Sequence, residues 1–479
     1  MKGGGYFFCR IEVLIKTECS HIISLLLAPS IPHIIRVMKS PFSRSILAVA
    51  IVFSVTLPIA QPSAVAQQKA SPLAIPATDD GLPGEGPIRR YEWFSKLWEK
   101  KRGAWAKDVA KDQGALVFLG DSITQGWGPQ MKGSFPGVKV ANRGISGDTT
   151  RGMLIRLQED VLSLNPSGVV MLMGTNDLEE MAEPDVIAAN FKLIIDALKK
   201  HNAKMPIIVC EVMPSSATKK RPADKIKAVN DGFKAAVKGD PQITVVDTWT
   251  LFADENGDAK KAEFPDLLHP NAAGYKMWAA GITPVLATLG FMENETEEFT
   301  PEEGFEMIFN GKDLTGWGFH ATPEKRRKPG RPFVDKDIVF DGKTVSNDGR
   351  YLAKNGKLIV TTPPEGRRAQ QIWTTREFPK DFVLKLEFRA TPNADSGIFI
   401  RKPQLQCRDY PLAGPYTELK NYKKQDWNEV VITVKGQVAH CTCNGEVLEA
   451  AFELPETGPI GLEGDRGQME YRRIRVREL

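Results

Sequence analysis

The feature that most constrains this chain is an alternation that runs from residue 116 to residue 289. Short apolar runs at 116–119, 138–141, 169–173, 207–212 and 243–246 are rich in β-branched residues and bounded by turn formers. Between them lie stretches such as 184–200 and 224–238, apolar at about every third or fourth position, and a last one over 271–289 closes the unit. Strands alternating with helices predict a parallel sheet with both faces covered.

The pattern changes class after 292–303 (MENETEEFTPEE), an acidic stretch with few apolar residues that reads as a domain boundary. Beyond it, 357–362, 382–389, 397–401, 429–435 and 469–476 look like strands, and long helical patterns are absent. Asn444-Gly445, set between 438–443 and 446–452, is a strong hairpin signal. Residues 304–479 therefore read as an antiparallel β-sandwich. A chain of 479 residues has room for two or three such units.

The amino-terminal region reads as a targeting segment. From Met38 the chain carries Lys39 and Arg44, an apolar run over 46–59 and Ala64-Val65-Ala66, the pattern of a secretory signal cleaved after Ala66. Residues 1–37 read as an upstream extension, 38–66 as the signal, and 67–89, rich in Pro, Ala and Gly, as a flexible lead-in. The mature chain is expected to be exported, to periplasm or medium, without a stable membrane span; the alternative is an uncleaved anchor. The near balance of 63 Lys plus Arg against 59 Asp plus Glu argues against a nucleic-acid partner.

Cleavage would leave Cys210, Cys407, Cys441 and Cys443, too few for a disulfide scaffold and without zinc spacing. Either Cys441 or Cys443 could reach Cys407. Four histidines remain, at 201, 269, 320 and 440, and only His201 and His269 fall in the first unit. His201, in Lys199-Lys200-His201-Asn202, reads as a solvated helix end. His269, in Asp266-Leu267-Leu268-His269-Pro270, has a carboxylate three residues upstream, which one turn can bring to its ring.

A matching nucleophile candidate stands in Leu119-Gly120-Asp121-Ser122, where the first strand ends. A serine there points into the crevice where open α/β sheets bind ligands, although a plain helix N-cap at Asp121 or Ser122 would look similar. Two further loops, Asn142-Arg143-Gly144-Ile145-Ser146-Gly147-Asp148 and Gly174-Thr175-Asn176-Asp177, follow the second and third strands on the same edge. The Gly144 amide and the Asn176 side-chain amide are donors of the kind an oxyanion hole needs. Trp127 reads either as a border of the site or as a core residue.

In these four blocks, taken in order, residues 90–291 resemble the SGNH/GDSL hydrolases, especially the branch similar to platelet-activating-factor acetylhydrolase catalytic subunits. The resemblance implies a three-layer α/β/α sandwich of flavodoxin-like kind. It implies Ser122 as nucleophile, His269 as base and Asp266 as orienter. The amide of Ser122, Gly144 and Asn176 would form the oxyanion hole, and no metal or cofactor is required.

The second unit, 304–479, resembles the 3-keto-disaccharide hydrolase domain family. The resemblance rests on Phe309-Asn310-Gly311-Lys312-Asp313-Leu314-Thr315-Gly316-Trp317, Asp395-Ser396-Gly397-Ile398-Phe399-Ile400-Arg401, Trp427-Asn428-Glu429 and Ile460-Gly461-Leu462. It implies a concanavalin-like, jelly-roll β-sandwich associated with carbohydrate. Gln404-Leu405-Gln406 stands where that family carries Glu-x-Gln, and Tyr471-Arg472-Arg473 where it carries Phe-Arg-Asn. Gln404 removes an acid from that position, which favours binding over glycoside cleavage. Taken together, the sequence reads as an exported serine esterase acting on acyl esters, acetyl above all, of carbohydrate. The alternatives are a lipid esterase and a two-activity enzyme. The basic run 325–331 reads as a solvated loop, or as a contact for an anionic polysaccharide.

Overall fold

The computed structural model describes residues 71, 73–292, 298–327 and 333–479. The signal expected over 38–66 and residues 328–331 of the basic run lie outside them.

Five strands form the first sheet: β1 (Leu116–Gly120), β2 (Val140–Gly144), β3 (Gly168–Leu172), β4 (Ile207–Cys210) and β5 (Ile243–Val246). All pair in parallel, in the order β2-β1-β3-β4-β5. Every residue of β1, β3 and β4 is buried, which is why these strands are continuous apolar runs. Val117, Leu119, Val169 and Met171 face one core, closed by helices Pro184–His201 and Ala223–Val237. Phe118, Val170 and Leu172 face the other, closed by Trp278 and Ile282 of helix Ala272–Thr288. Helix, sheet and helix make three layers. The strand order reverses at β1, which is flanked by β2 and β3, so a crevice opens beyond their carboxyl ends.

Trp127 belongs to the core and not to the site's border. It is 1% exposed, its ring lies 4.4 Å from that of Trp278, and its Nε1 donates to Ser134 Oγ.

The second unit is a sandwich of two antiparallel sheets. One contains Val438–Cys443, Asn428–Lys435, Phe382–Ala390 and Met469–Glu478 side by side. The other contains Gln404–Arg408, Asp395–Ile400, Ile460–Gly464 and Gln370–Thr374. Inward residues of both, among them Leu384, Leu386, Ile398, Leu462 and Tyr471, share one core. At the hairpin, Asn444 (φ 47°) and Gly445 (φ 83°) are both left-handed, as a type I′ turn demands.

One expectation changes. All four described cysteines are free and buried, so Cys407 pairs with neither Cys441 nor Cys443. Residues 293–297 of the acidic stretch lie outside the described residues, and its last residues are tied to the second unit. Glu302 forms an ion pair with Arg475 (2.6 Å), and the Arg473 and Arg475 guanidinium groups stack on Phe299. The units touch directly as well: Asn393 Nδ2 donates to Asp247 Oδ2 (2.7 Å), and Gln468 Nε2 to Pro284 O (3.0 Å) and Thr288 Oγ1 (2.9 Å).

Glu211, just past β4, is 6% exposed and faces Asp247 and Lys234. Burial, with the Asp247 charge beside it, pushes its carboxyl up to about 8 despite the Lys234 contact. The folded state therefore holds this proton more tightly than the unfolded chain does. The stabilisation is complete below about pH 4.5 and is lost as pH rises toward 8. Glu211→Gln should gain in melting temperature over wild type as pH is raised from about 5 to about 8.5. A difference that stays constant over that range would show that the acid is ionised throughout.

Candidate active site

Ser122 opens the short helix α2 (Ser122–Gly126) directly after β1. The capping ambiguity of the sequence resolves here: Asp121 takes the cap, its Oδ1 accepting from the Ile123 amide at 2.9 Å. The Ser122 hydroxyl is thus released from that duty and meets His269 Nε2 at 2.9 Å. Asp121 is fully buried, with Oδ2 unpartnered, and burial pushes its carboxyl up to about 6.

His269 reaches the serine from a tight loop after β5. Its Nδ1 lies 2.8 Å from Asp266 Oδ2, while Asp266 Oδ1 accepts from the amides of Leu268 (3.0 Å) and His269 (2.7 Å). Partial burial raises the Asp266 carboxyl, but the His269 amide and ring and the Leu268 amide outweigh it and bring it to about 2. To close this loop Leu267 adopts φ 62°, a costly conformation for a leucine, and Ser215 Oγ holds its carbonyl at 2.7 Å. Ser122, His269 and Asp266 therefore form one continuous hydrogen-bonded line, the arrangement in which a ring can accept a hydroxyl proton while a carboxylate stabilises its charge.

Asn176 lies on helix Thr175–Glu179 after β3 and is 3% exposed. Its Oδ1 accepts from Arg221 Nη2 (3.1 Å) and its Nδ2 donates to Asp148 O (2.9 Å). Arg221, itself 2% exposed, is held by Thr175 O (2.9 Å) and Glu179 (2.8 Å). A guanidinium on the oxygen side fixes the orientation of the amide and leaves the second Nδ2 hydrogen free to donate.

Gly144 stands at the carboxyl end of β2, on the edge the sequence reading gave it, but its amide is not free to meet an oxyanion. Its amide donates to Asn142 Oδ1 at 2.9 Å, and Asn142 Nδ2 donates to Thr124 O at 2.7 Å. A Cβ at 144 would run into the Gln125 amide nitrogen and stand 2.7 Å from Asp121 O. Gly144 is a glycine because β2 packs its backbone under α2, and its one N–H is already engaged. The neighbouring amides are engaged too: Ile145 to Gly120 O (3.2 Å), Ser146 to Gln125 Oε1 (3.0 Å) and Asp148 to Ile145 O (3.0 Å). Gly147, at φ 88°, is the residue of this turn whose amide has no acceptor among the described residues. The sequence gives Asn142, Gly147 and Arg221 no role of their own. Only the Gly-x-x-Gly doublet at 144 and 147 hinted that a second amide was available.

Among the described residues no group of three or more His, Cys, Asp or Glu is placed to hold a metal ion, and no helix is long and apolar enough to cross a membrane.

The parallel three-layer fold and this serine-bearing crevice belong to a hydrolase acting on esters. Residues 118–277 match the GDSL-like lipase/acylhydrolase family, and residues 304–477 match the 3-keto-alpha-glucoside-1,2-lyase-like domain. The chain thus joins a GDSL-like acylhydrolase domain to a second domain of the latter kind. It is 25% identical over 214 residues to human platelet-activating factor acetylhydrolase IB subunit alpha2, covering 44% of this chain and 88% of that protein. The rat alpha1 subunit is 26% identical over 185 residues, covering 37% and 77%. Among solved structures, a GDSL-like lipase from Bacteroides thetaiotaomicron is 28% identical, covers 40% of this chain and 97% of its own, and has a TM-score of 0.36.

Proposed function

We propose that the protein is an exported serine esterase that removes acyl groups, acetyl in particular, from carbohydrate, with Ser122, His269 and Asp266 as its catalytic residues. The observation that carries this reading is the unbroken contact from Asp266 through His269 to Ser122. Ser122 Oγ attacks the ester carbonyl as His269 Nε2 takes its proton, and Asp266 stabilises the imidazolium. The tetrahedral oxyanion is met by Asn176 Nδ2, by the Ser122 amide, which as the first of its helix has no intrahelical acceptor, and by the Gly147 amide in place of Gly144. His269 then protonates the leaving alcohol, and water attacks the acyl-enzyme by the same route.

Acetyl as the acyl group is supported by the relatives, which are named acetylhydrolases. Carbohydrate as its carrier is supported by the second domain. Trp373 lies across Gly461, whose Cβ would stand 2.6 Å from the ring, and His320 stacks on it at 5.5 Å. Flat aromatic faces beside hydrogen-bonding side chains suit sugar rings. Activity on acetylated oligosaccharides, measured against long-chain acyl esters, tests this: kcat/KM should favour the sugars. A preference for the long chains would make the protein a lipid esterase.

A second reading, a two-activity enzyme, is favoured by Glu463. This carboxylate is 8% exposed and accepts from Gln404 Nε2 (2.5 Å) and Gln371 Nε2 (2.6 Å). Burial raises its carboxyl above the usual range. An acid is thus in contact with the very side chain, Gln404, where the sequence seemed to lack one. Sugar release from a 3-keto-glycoside by the wild type, lost in Glu463→Gln, would establish that activity.

A further inference from the structure

The segment Arg89–Phe94 leads into helix α1 (Glu92–Asp112) and carries two aromatic side chains that the fold leaves open. Trp93 is 53% exposed and Tyr91 52%, whereas Trp98, Trp127, Trp278 and Trp317 are at most 1% exposed. An indole this open has a cost in water that the core does not recover.

Its position is specific. Trp93 Cη2 lies 2.7 Å from where a Cβ on Gly147 would stand, so the ring edge rests on the turn whose amide has no acceptor. Phe94 supports the indole from beneath, edge-on at 5.6 Å. Tyr91 lies nearly parallel to Trp93, with 10° between the rings and 6.4 Å between centroids. The Tyr91 hydroxyl reaches Glu180 at 3.3 Å, and Arg89 pairs with both Glu179 and Glu180. Those carboxylates end the helix that begins with Thr175 and Asn176. The aromatic pair therefore bridges the Gly147 turn and the far end of the short helix that carries Asn176.

We propose that Tyr91 and Trp93 form a stacking subsite for a pyranose ring of the acylated saccharide, beside the Gly147 turn. The assignment rests on the esterase reading given under the preceding heading and extends it to the sugar itself. An acyl chain would call for an enclosed apolar channel. Here two nearly parallel aromatic faces lie open to water with carboxylates and guanidinium groups at their edge, which suits the apolar face and hydroxyl rim of a sugar.

The test uses the full-length Trp93→Ala, Trp93→Phe and Tyr91→Ala variants. Substrates are acetylated xylo-, manno- and chito-oligosaccharides, with p-nitrophenyl acetate as the sugar-free comparison. In Trp93→Ala the ratio of kcat/KM on the best oligosaccharide to kcat/KM on p-nitrophenyl acetate should fall about tenfold, through KM, as expected for one lost aromatic contact. Tyr91→Ala should lower the ratio less, and Trp93→Phe should restore most of it. An equal loss on both substrates would make Trp93 a prop for the Gly147 turn and overturn the assignment, as would an unchanged ratio. A wild type that ignores every acetylated sugar would overturn the function proposed above, and this subsite with it.

Discussion

Ser122→Ala is expected to lower kcat by about 10⁴-fold or more, and His269→Ala by a similar factor, because nucleophile and base act as a unit. What would remain is the contribution of the oxyanion donors and of binding, which neither substitution removes. Among the described residues the Ser122 hydroxyl hydrogen-bonds His269, and His269 lies in a loop at the surface with its side chain 44% exposed. Neither change opens a cavity in the core, so thermal unfolding should shift little. Activity on p-nitrophenyl acetate and the melting temperature, measured on the same preparations, separate loss of chemistry from loss of fold. Turnover near the wild-type rate in either variant would remove these residues from the mechanism.

Asn176→Ala should lower kcat by about 10²–10³ while KM moves far less, because the donor matters most when charge develops on the carbonyl oxygen. This variant should also cost stability. Its amide satisfies the Asp148 carbonyl, and leaving that buried group unpaired costs about 1–3 kcal/mol, while Arg221 Nη2 keeps Glu179 as a partner. The two effects are distinguishable. A purely structural Asn176 would lower the melting temperature and the fraction of active enzyme, but active-site titration would then return a normal kcat per site.

Much of this site was legible in the sequence, and the exceptions have a common cause. The parallel sheet follows from apolar runs that are buried on both faces, such as β1 and β3. Ser122 and the Asp266–His269 pair were legible because their chemistry depends on side-chain type and short spacing. The Gly147 amide was not, because any residue offers an N–H, and only the hydrogen bonds of Gly144, Ile145, Ser146 and Asp148 show which one is left over. Arg221 orients Asn176 from 45 residues away, a contact that no local pattern encodes. Trp127 was ambiguous because an indole suits a core as well as a cleft, and Trp278 and Ser134 decide it. The cysteines were misjudged for a related reason: Cys407, Cys441 and Cys443 all turn inward on a well-filled sandwich, as small apolar side chains do.

Ser122 as the nucleophile of an esterase makes a covalent prediction. Intact-mass analysis after exposure to a fluorophosphonate, followed by peptide mapping, tests it most directly. One phosphonyl group should appear per chain, carried on Ser122, with labelling lost in Ser122→Ala and strongly slowed in His269→Ala. An unlabelled wild-type protein that still turns over esters, or a label on any other residue, would exclude Ser122 as the nucleophile.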